Sequence, residues 1–129
     1  MACLETDFLV ALSRKDSAAV QKLLELERKN ERLFVTPISA SELFYGAFKS
    51  KNQAELDTTE GILQLVDFLP FDFVSARYCG LVLASLDKEG KIGDLDSLTG
   101  AICARHSQTL ITRNLKHFSK VKNLKIETF

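Results

Sequence analysis

Seven side chains in this chain carry the chemistry worth weighing first. Glu5 and Asp7 stand two residues apart near the N-terminus, Glu42 sits in an apolar turn, and Asp94 and Asp96 stand two apart before a segment rich in small residues. Asn114 and Arg113 follow a short apolar run, Thr109-Leu110-Ile111-Thr112. Carboxylates gathered in one place cannot all stay ionised without a cation. An all-oxygen donor set favours a hard ion such as Mg²⁺ or Mn²⁺. Such an ion activates water and neutralises charge building on a phosphodiester. This points to metal-dependent phosphoryl transfer or hydrolysis and leaves the substrate open. Each acid also has a plainer reading. Asp94 suits a helix N-cap, with Asp96 complementing the helix dipole.

The elements that must gather these residues alternate along the chain. Residues 2–6 read as a first strand ending near Glu5-Thr6-Asp7, which would point Glu5 and Asp7 to the same face. A short helix over 8–12 follows. Asp16 caps an amphipathic helix carrying Ala19, Val20, Leu23, Leu24 and Leu26. Residues 32–36 read as a second strand, and Pro37 suits the first turn of the next helix. That helix carries Ser39 and Glu42 among Ile38, Leu43, Phe44, Ala47 and Phe48, where an unpaired carboxylate is expensive. A helix over 54–66, a strand over 68–71 and a helix from Asp72 to about Lys88 come next. The loop 90–93 leads into the helix that Asp94 opens. Residues 109–112 form a strand, 113–118 a turn or single helical turn, and 124–126 a last edge strand. Strands alternating with helices predict a three-layer α/β/α fold with a mostly parallel sheet of four to five strands. In such sheets sites form beyond the carboxyl ends of the strands.

Composition sets bounds. The 129 residues suit a single domain, and 46% hydrophobic with 26% charged is ordinary for a globular chain. No apolar run is long enough to span a bilayer, and the N-terminus lacks the basic region of a signal peptide. Cys3, Cys79 and Cys103 are odd in number and lie among apolar neighbours, which predicts buried thiols in a cytoplasmic protein. Lys plus Arg and Asp plus Glu both number 17, so no global basic field advertises a nucleic acid. Local phosphate contacts would fall to Arg14, Lys15, Lys49, Lys51, Arg113 or Lys116, each of which also reads as a solvated surface charge. His106 and His117 read as packing or surface residues.

Four segments carry a resemblance. They are Leu4-Glu5-Thr6-Asp7-Phe8-Leu9-Val10, the stretch Thr36–Ala47 containing Glu42-Leu43-Phe44-Tyr45-Gly46, Ile92-Gly93-Asp94-Leu95-Asp96-Ser97-Leu98-Thr99-Gly100-Ala101, and Leu110-Ile111-Thr112-Arg113-Asn114-Leu115-Lys116-His117-Phe118. In this order and at these separations the chain resembles the PIN-domain ribonucleases, in particular the VapC-type toxins of prokaryotic toxin–antitoxin pairs. The resemblance implies a PIN-like fold and a metal-dependent endoribonuclease using Mg²⁺ or Mn²⁺. It implies metal or catalytic roles for Glu5, Glu42 and Asp96, with Asn114 at the fourth position. Beside these, Thr6 and Ser39 read as hydrogen-bond partners that position substrate or water, or else as helix or strand caps, and Arg113 reads as positioning substrate. The resemblance also implies a cognate antitoxin and a homodimer, without membrane attachment. The chain departs from the family pattern at the first acid and at the fourth position. Glu5 stands where Asp is usual, and Asp7 stands where Asn is usual, so Asp7 can share the ligand role. Asn114 is neutral, and Asp94 can compensate. A catalytically degenerate PIN domain that binds RNA or protein is the alternative. A phospho-receiver domain of similar layering would need an acceptor Asp closing a central strand, and Asp67 is poorly placed for it.

Overall fold

In the computed structural model the chain is described over residues 1–89 and 94–129, with the side chains of 87–89 and 94 set aside. Five strands form one sheet: β1 (Ala2–Leu4), β2 (Leu33–Val35), β3 (Asp67–Phe68), β4 (Thr109–Ile111) and β5 (Lys125–Glu127). Their order is β3-β2-β1-β4-β5, and every neighbouring pair is parallel. Among the described residues seven helices accompany these strands: α1 (Thr6–Ser13), α2 (Ser17–Arg28), α3 (Pro37–Ser50), α4 (Gln53–Leu63), α5 (Phe73–Glu89), α6 (Asp94–Arg105) and α7 (Leu115–Phe118). The three-layer α/β reading holds.

The layers follow from strand alternation. Cys3 and Leu110 face one side, where Val82 and Leu86 of α5, Ala101, Ile102 and Cys103 of α6 and Phe118 of α7 cover them. Leu4, Val35 and Ile111 face the other, against Phe8 and Leu9 of α1, Leu26 of α2, Ala40 of α3 and Leu63 of α4. The strands are short because both faces are covered and the central ones need only three residues to cross the core. All three cysteines are free and buried. Among the described residues no helix is long and apolar enough to cross a membrane.

Side-chain caps fix where helices begin. Asp16 accepts from the Ala19 amide at 3.0 Å, Thr36 from Ser39 at 3.1 Å ahead of Pro37, and Asn52 from Ala54 at 2.9 Å. These satisfy backbone N–H groups that the helix itself leaves unpaired. Several expected boundaries move. The first strand ends at Leu4, and Glu5 leaves it to become the N-cap of α1, so Glu5 and Asp7 do not share a strand face. The third strand is Asp67–Phe68 and not 68–71, since Pro70 cannot donate to a ladder. The fourth helix stops at Leu63. The last strand is Lys125–Glu127. The loop 90–93 lies outside the described residues. Asp67 sits on the edge strand, paired with Arg32 at 2.8 Å, and so does not close a central strand as the acceptor of a phospho-receiver would.

Gly100 sets how closely α6 approaches the segment after β4. A Cβ there would stand 3.0 Å from Val121 Cγ2 and 3.3 Å from Phe118 Cδ1. Asp96 lies one helical turn before Gly100, and His117 adjoins Phe118. Gly100→Val is therefore expected to destabilise the chain by about 2–3 kcal/mol through overpacking, measured by urea unfolding; an unchanged midpoint would show that this contact is slack.

Candidate active site

The sheet order places the site. Successive strands run from β1 to one side through β2 and β3, then resume on the other side with β4 and β5. The reversal falls between β1 and β4, and a crevice opens beyond the carboxyl ends of strands at such a point. Glu5 follows β1 directly and Thr112-Arg113-Asn114 follows β4 directly. The Glu5 amide donates to Ile111 O at 3.2 Å and closes the ladder there.

Glu5 caps α1 by accepting from the Asp7 amide at 3.0 Å. The same oxygen, Oε2, faces the Thr112 hydroxyl at 3.4 Å. Asp7 turns its Oδ2 to the end of β4, where it accepts from Thr112 Oγ1 at 3.0 Å and from the Arg113 amide at 2.8 Å. Its other oxygen, Oδ1, is buried without a donor among the described residues. The two acids lie side by side, so their carboxyl groups are brought together by cap geometry and not by strand pleating. Burial, then the hydrogen bond and charge of Asp7, push the Glu5 carboxyl up to about 8. A protonated Glu5 can donate to Asp7, and one proton then serves both groups.

The second pair lies across the crevice. Glu42 of α3 accepts from the Thr6 hydroxyl at 3.0 Å, so the first turn of α1 touches both pairs. Burial raises the Glu42 carboxyl and the charge of Asp96 adds to the rise, while Thr6 works against it. Asp96 of α6 meets His117 Nδ1 at 3.1 Å. Asn114 caps nothing with its side chain; its Nδ2 also stands 3.1 Å from His117 Nδ1. Ser39 Oγ is buried one turn before Glu42 and finds no partner among the described residues. A groove of about 370 Å³ opens from Glu42 between α1, α3 and α4, lined also by Ser13, Arg14, Gly46, Glu55 and Thr58.

The structure thus brings Glu5, Thr6, Asp7, Glu42, Asp96 and Asn114 to one edge. Arg113 contributes its backbone amide there. Its guanidinium points elsewhere, holding Asp16 at 2.9 Å and the Phe129 carbonyl at 3.2 Å, with the Phe129 ring beneath it at 4.2 Å. The Asp94 side chain lies outside the described residues. His117, expected at the surface or in packing, stands against Asp96. Its position three residues after Asn114 on one helical turn was the available signal. His106 does pack, with Nε2 3.1 Å from Pro70 O.

Among the described residues no three His, Cys, Asp or Glu side chains form a ready-made ligand cage. The acids stand as two pairs. Their chemistry nevertheless fits a hard divalent cation: every donor is oxygen, one carboxylate oxygen is buried without a partner among the described residues, and two carboxyls are pushed toward their neutral forms by burial and by a neighbouring aspartate, Glu5 by Asp7 and Glu42 by Asp96.

The PIN domain family model matches residues 2–124. The chain is a PIN domain of the VapC family. It is 32% identical to "Ribonuclease VapC2" of Rickettsia felis over 98% of this chain and 96% of that one. It is 30% identical to "Ribonuclease VapC2" of Haemophilus influenzae over 76% of each. The crystal structure of VapBC2 from Rickettsia felis bound to a promoter DNA fragment superposes with a TM-score of 0.91 at 26% identity, covering 99% of this chain and 98% of that chain. VapBC from Salmonella typhimurium, also DNA-bound, gives 0.88 at 23% identity over 99% and 98%, a likeness of fold alone. In this VapC-family chain the first acid is the N-cap Glu5, with Asp7 beside it.

The Glu5 shift has a pH consequence. Its carboxyl ordinarily titrates at 4.5 and at about 8 in the folded chain, so the native state holds the proton more tightly than the unfolded state. That stability is fully present below pH 4.5 and is lost as pH rises toward 8. Urea unfolding with a chelator is expected to show a decline on the order of a few kcal/mol across that window, and Glu5→Gln is expected to flatten it. An equally steep decline in Glu5→Gln would assign the dependence to other groups.

Proposed function

We propose that this chain is a divalent-metal-dependent endoribonuclease, the toxin of a toxin–antitoxin pair. The observation that carries the reading is the convergence of Glu5, Asp7, Glu42 and Asp96 at the switch point of a parallel sheet. The names of its relatives and the VapBC complexes among its structural neighbours support the substrate and the partner. Glu5, Asp7, Glu42 and Asp96 would hold Mg²⁺ or Mn²⁺, with Asp94 a further candidate.

A bound divalent cation supplies charge neutralisation for the scissile phosphate and lowers the pKa of an attacking water. The chain's own residues do the rest. Thr6 holds Glu42 Oε1 and leaves Oε2 without a hydrogen bond among the described residues, open to take a proton from that water. The upward shift of Glu42 makes it a better proton acceptor near neutral pH. Asn114 carries no charge, so its part is to orient water or phosphate oxygen by hydrogen bonding. Ser39 offers a buried hydroxyl to the same end. Lys15, Lys49, Lys51 and Lys116 are exposed, and Arg14 lines the groove that leads away from Glu42. Arg14 is therefore the favoured phosphate contact along a bound RNA strand. A cytoplasmic location and a homodimer go with this reading.

The purified chain with Mg²⁺ or Mn²⁺ is expected to cleave RNA, and Glu42→Gln plus Asp96→Asn to abolish cleavage. Undiminished cleavage by the double variant would dispose of the mechanism. Absence of both cleavage and metal binding in the unaltered chain would favour a degenerate domain that only binds. Arg14→Ala is expected to weaken RNA binding several-fold and to lower its dependence on log salt by about one unit of slope, as measured by a salt titration; an unaltered slope would remove Arg14 from the RNA path.

A further inference from the structure

We infer that His117 is a positioning residue, which holds the Asp96 carboxylate and the Asn114 amide through a single ring N–H at Nδ1. The consequence for metal binding rests on the reading of the site given above; the hydrogen-bond arrangement does not.

The geometry is over-determined at one atom. His117 Nδ1 lies 3.1 Å from Asp96 Oδ2 and 3.1 Å from Asn114 Nδ2. A bare Nδ1 would accept from the Asn114 amide, but it would then face a carboxylate oxygen lone pair to lone pair. A protonated Nδ1 donates to the carboxylate in a charge-assisted bond, which is the stronger of the two alternatives. The N–H then also faces the Asn114 amide nitrogen, donor against donor. A half-turn of that amide exchanges its nitrogen and oxygen at almost no steric cost. With the oxygen inward, one N–H serves Asp96 Oδ2 and Asn114 Oδ1 together. The amide NH₂ turns away from the ring and becomes available as a donor.

The backbone supports this arrangement. The Asn114 amide donates to Thr112 Oγ1 at 3.0 Å, and that hydroxyl also serves Asp7. Asn114 and His117 sit three apart on the single turn of α7, and Phe118 beside them is fully buried against α6. The ring is therefore delivered to Asp96 by packing on one side and by the end of β4 on the other. Asp96 is on α6, and Gly100 lets α6 approach α7 closely. His117 thus ties the fourth-position residue to the third acid. A neutral Asn at that position acts here as a hydrogen-bond donor whose direction the imidazole sets.

Partners of this kind change metal affinity or activity by about 10–100-fold when removed. Three variants separate positioning from bulk. His117→Asn keeps an amide nitrogen close to the place of Nδ1, His117→Gln carries it out to the place of Nε2, and His117→Ala has neither. Calorimetric titration of Mn²⁺ into each folded variant is expected to show affinity falling about 10–100-fold in His117→Ala, recovering in His117→Asn and not in His117→Gln. Equal affinities in all four proteins, or equal recovery by Asn and Gln, would overturn the assignment. A second measurement needs no metal. Long-range ¹H–¹⁵N correlation of the His117 ring in the metal-free chain, at a pH where the ring is neutral, is expected to show the Nδ1–H tautomer, and Asp96→Asn is expected to shift it toward Nε2–H. An Nε2–H ring in the unaltered chain would sink the proposal even if the chain binds metal. An Nδ1–H ring in a chain that binds none would uphold the hydrogen-bond arrangement and overturn the metal reading alone.

Discussion

Two carboxyl groups occupy one buried corner, and most of the site is arranged around the cost of keeping them there. Glu5 must cap α1, because the chain leaves β1 and enters a helix without a loop. Asp7 must hold the end of β4, because Thr112 and Arg113 present a hydroxyl and an amide with few other acceptors in reach. Each task is an ordinary use of a carboxylate. Performed two residues apart they press like charges together, and burial amplifies the repulsion. An amide at position 7 could have donated to Glu5 and relieved it. A carboxylate cannot, so the corner needs a proton or a cation. The upward displacement of Glu5 is the energetic record of that need.

The sheet makes the corner unavoidable. With β1 at the centre and the strand order reversing beside it, the chain leaving β1 and the chain leaving β4 emerge next to each other. Helices on both faces bury the central strand β1 and most of β4, so the stability that offsets the strained acids comes from apolar contacts on two sides. Phe8 and Leu9 of α1 anchor one face and Phe118 of α7 the other. The same elements that fill the core therefore carry Thr6, Asp7, Asn114 and His117 to the crevice. Among the described residues, those of the site sit on core elements or directly at their ends.

Much of this was legible in the chain before any coordinates. Asp16 announced α2, since its side chain satisfies backbone donors wherever it occurs, and Pro37 announced α3, since its fixed φ suits a first turn; the caps at Thr36 and Asn52 emerge only in the structure. Glu42 stood out because a carboxylate in an apolar turn demands a partner. The role of Glu5 was harder to read. Glu is an uncommon N-cap, and a three-residue strand leaves too little alternation to mark its end. The pairing of Glu5 with Asp7 was anticipated for a wrong geometric reason, yet the outcome was the same, because an N-cap side chain folds back over the first turn of its helix. His117 escaped notice for a different reason. Its spacing from Asn114 was the one local signal, while its contact with Asp96 joins α7 to α6 across 21 residues of chain, which no local pattern encodes. Arg113 misled in the opposite sense: a basic residue beside an acidic site reads as a phosphate contact, while its guanidinium is held by Asp16 and the chain's last residue.

Two departures from the family pattern meet at the end of β4. Asn114 withholds a charge at the fourth position, and Asp7 introduces one where an amide is usual. Thr112 stands between them: its hydroxyl donates to the Asp7 carboxylate and accepts from the backbone N–H of Asn114. The negative charge has thus been shifted from the β4 side of the crevice to the β1 side without leaving it. The count of carboxyl groups at the crevice is kept, while the repulsion moves from an open position beside α7 to a buried one beside Glu5, where burial and Asp7 favour the protonated form. Under the proposed reading a cation held there would have to displace that proton.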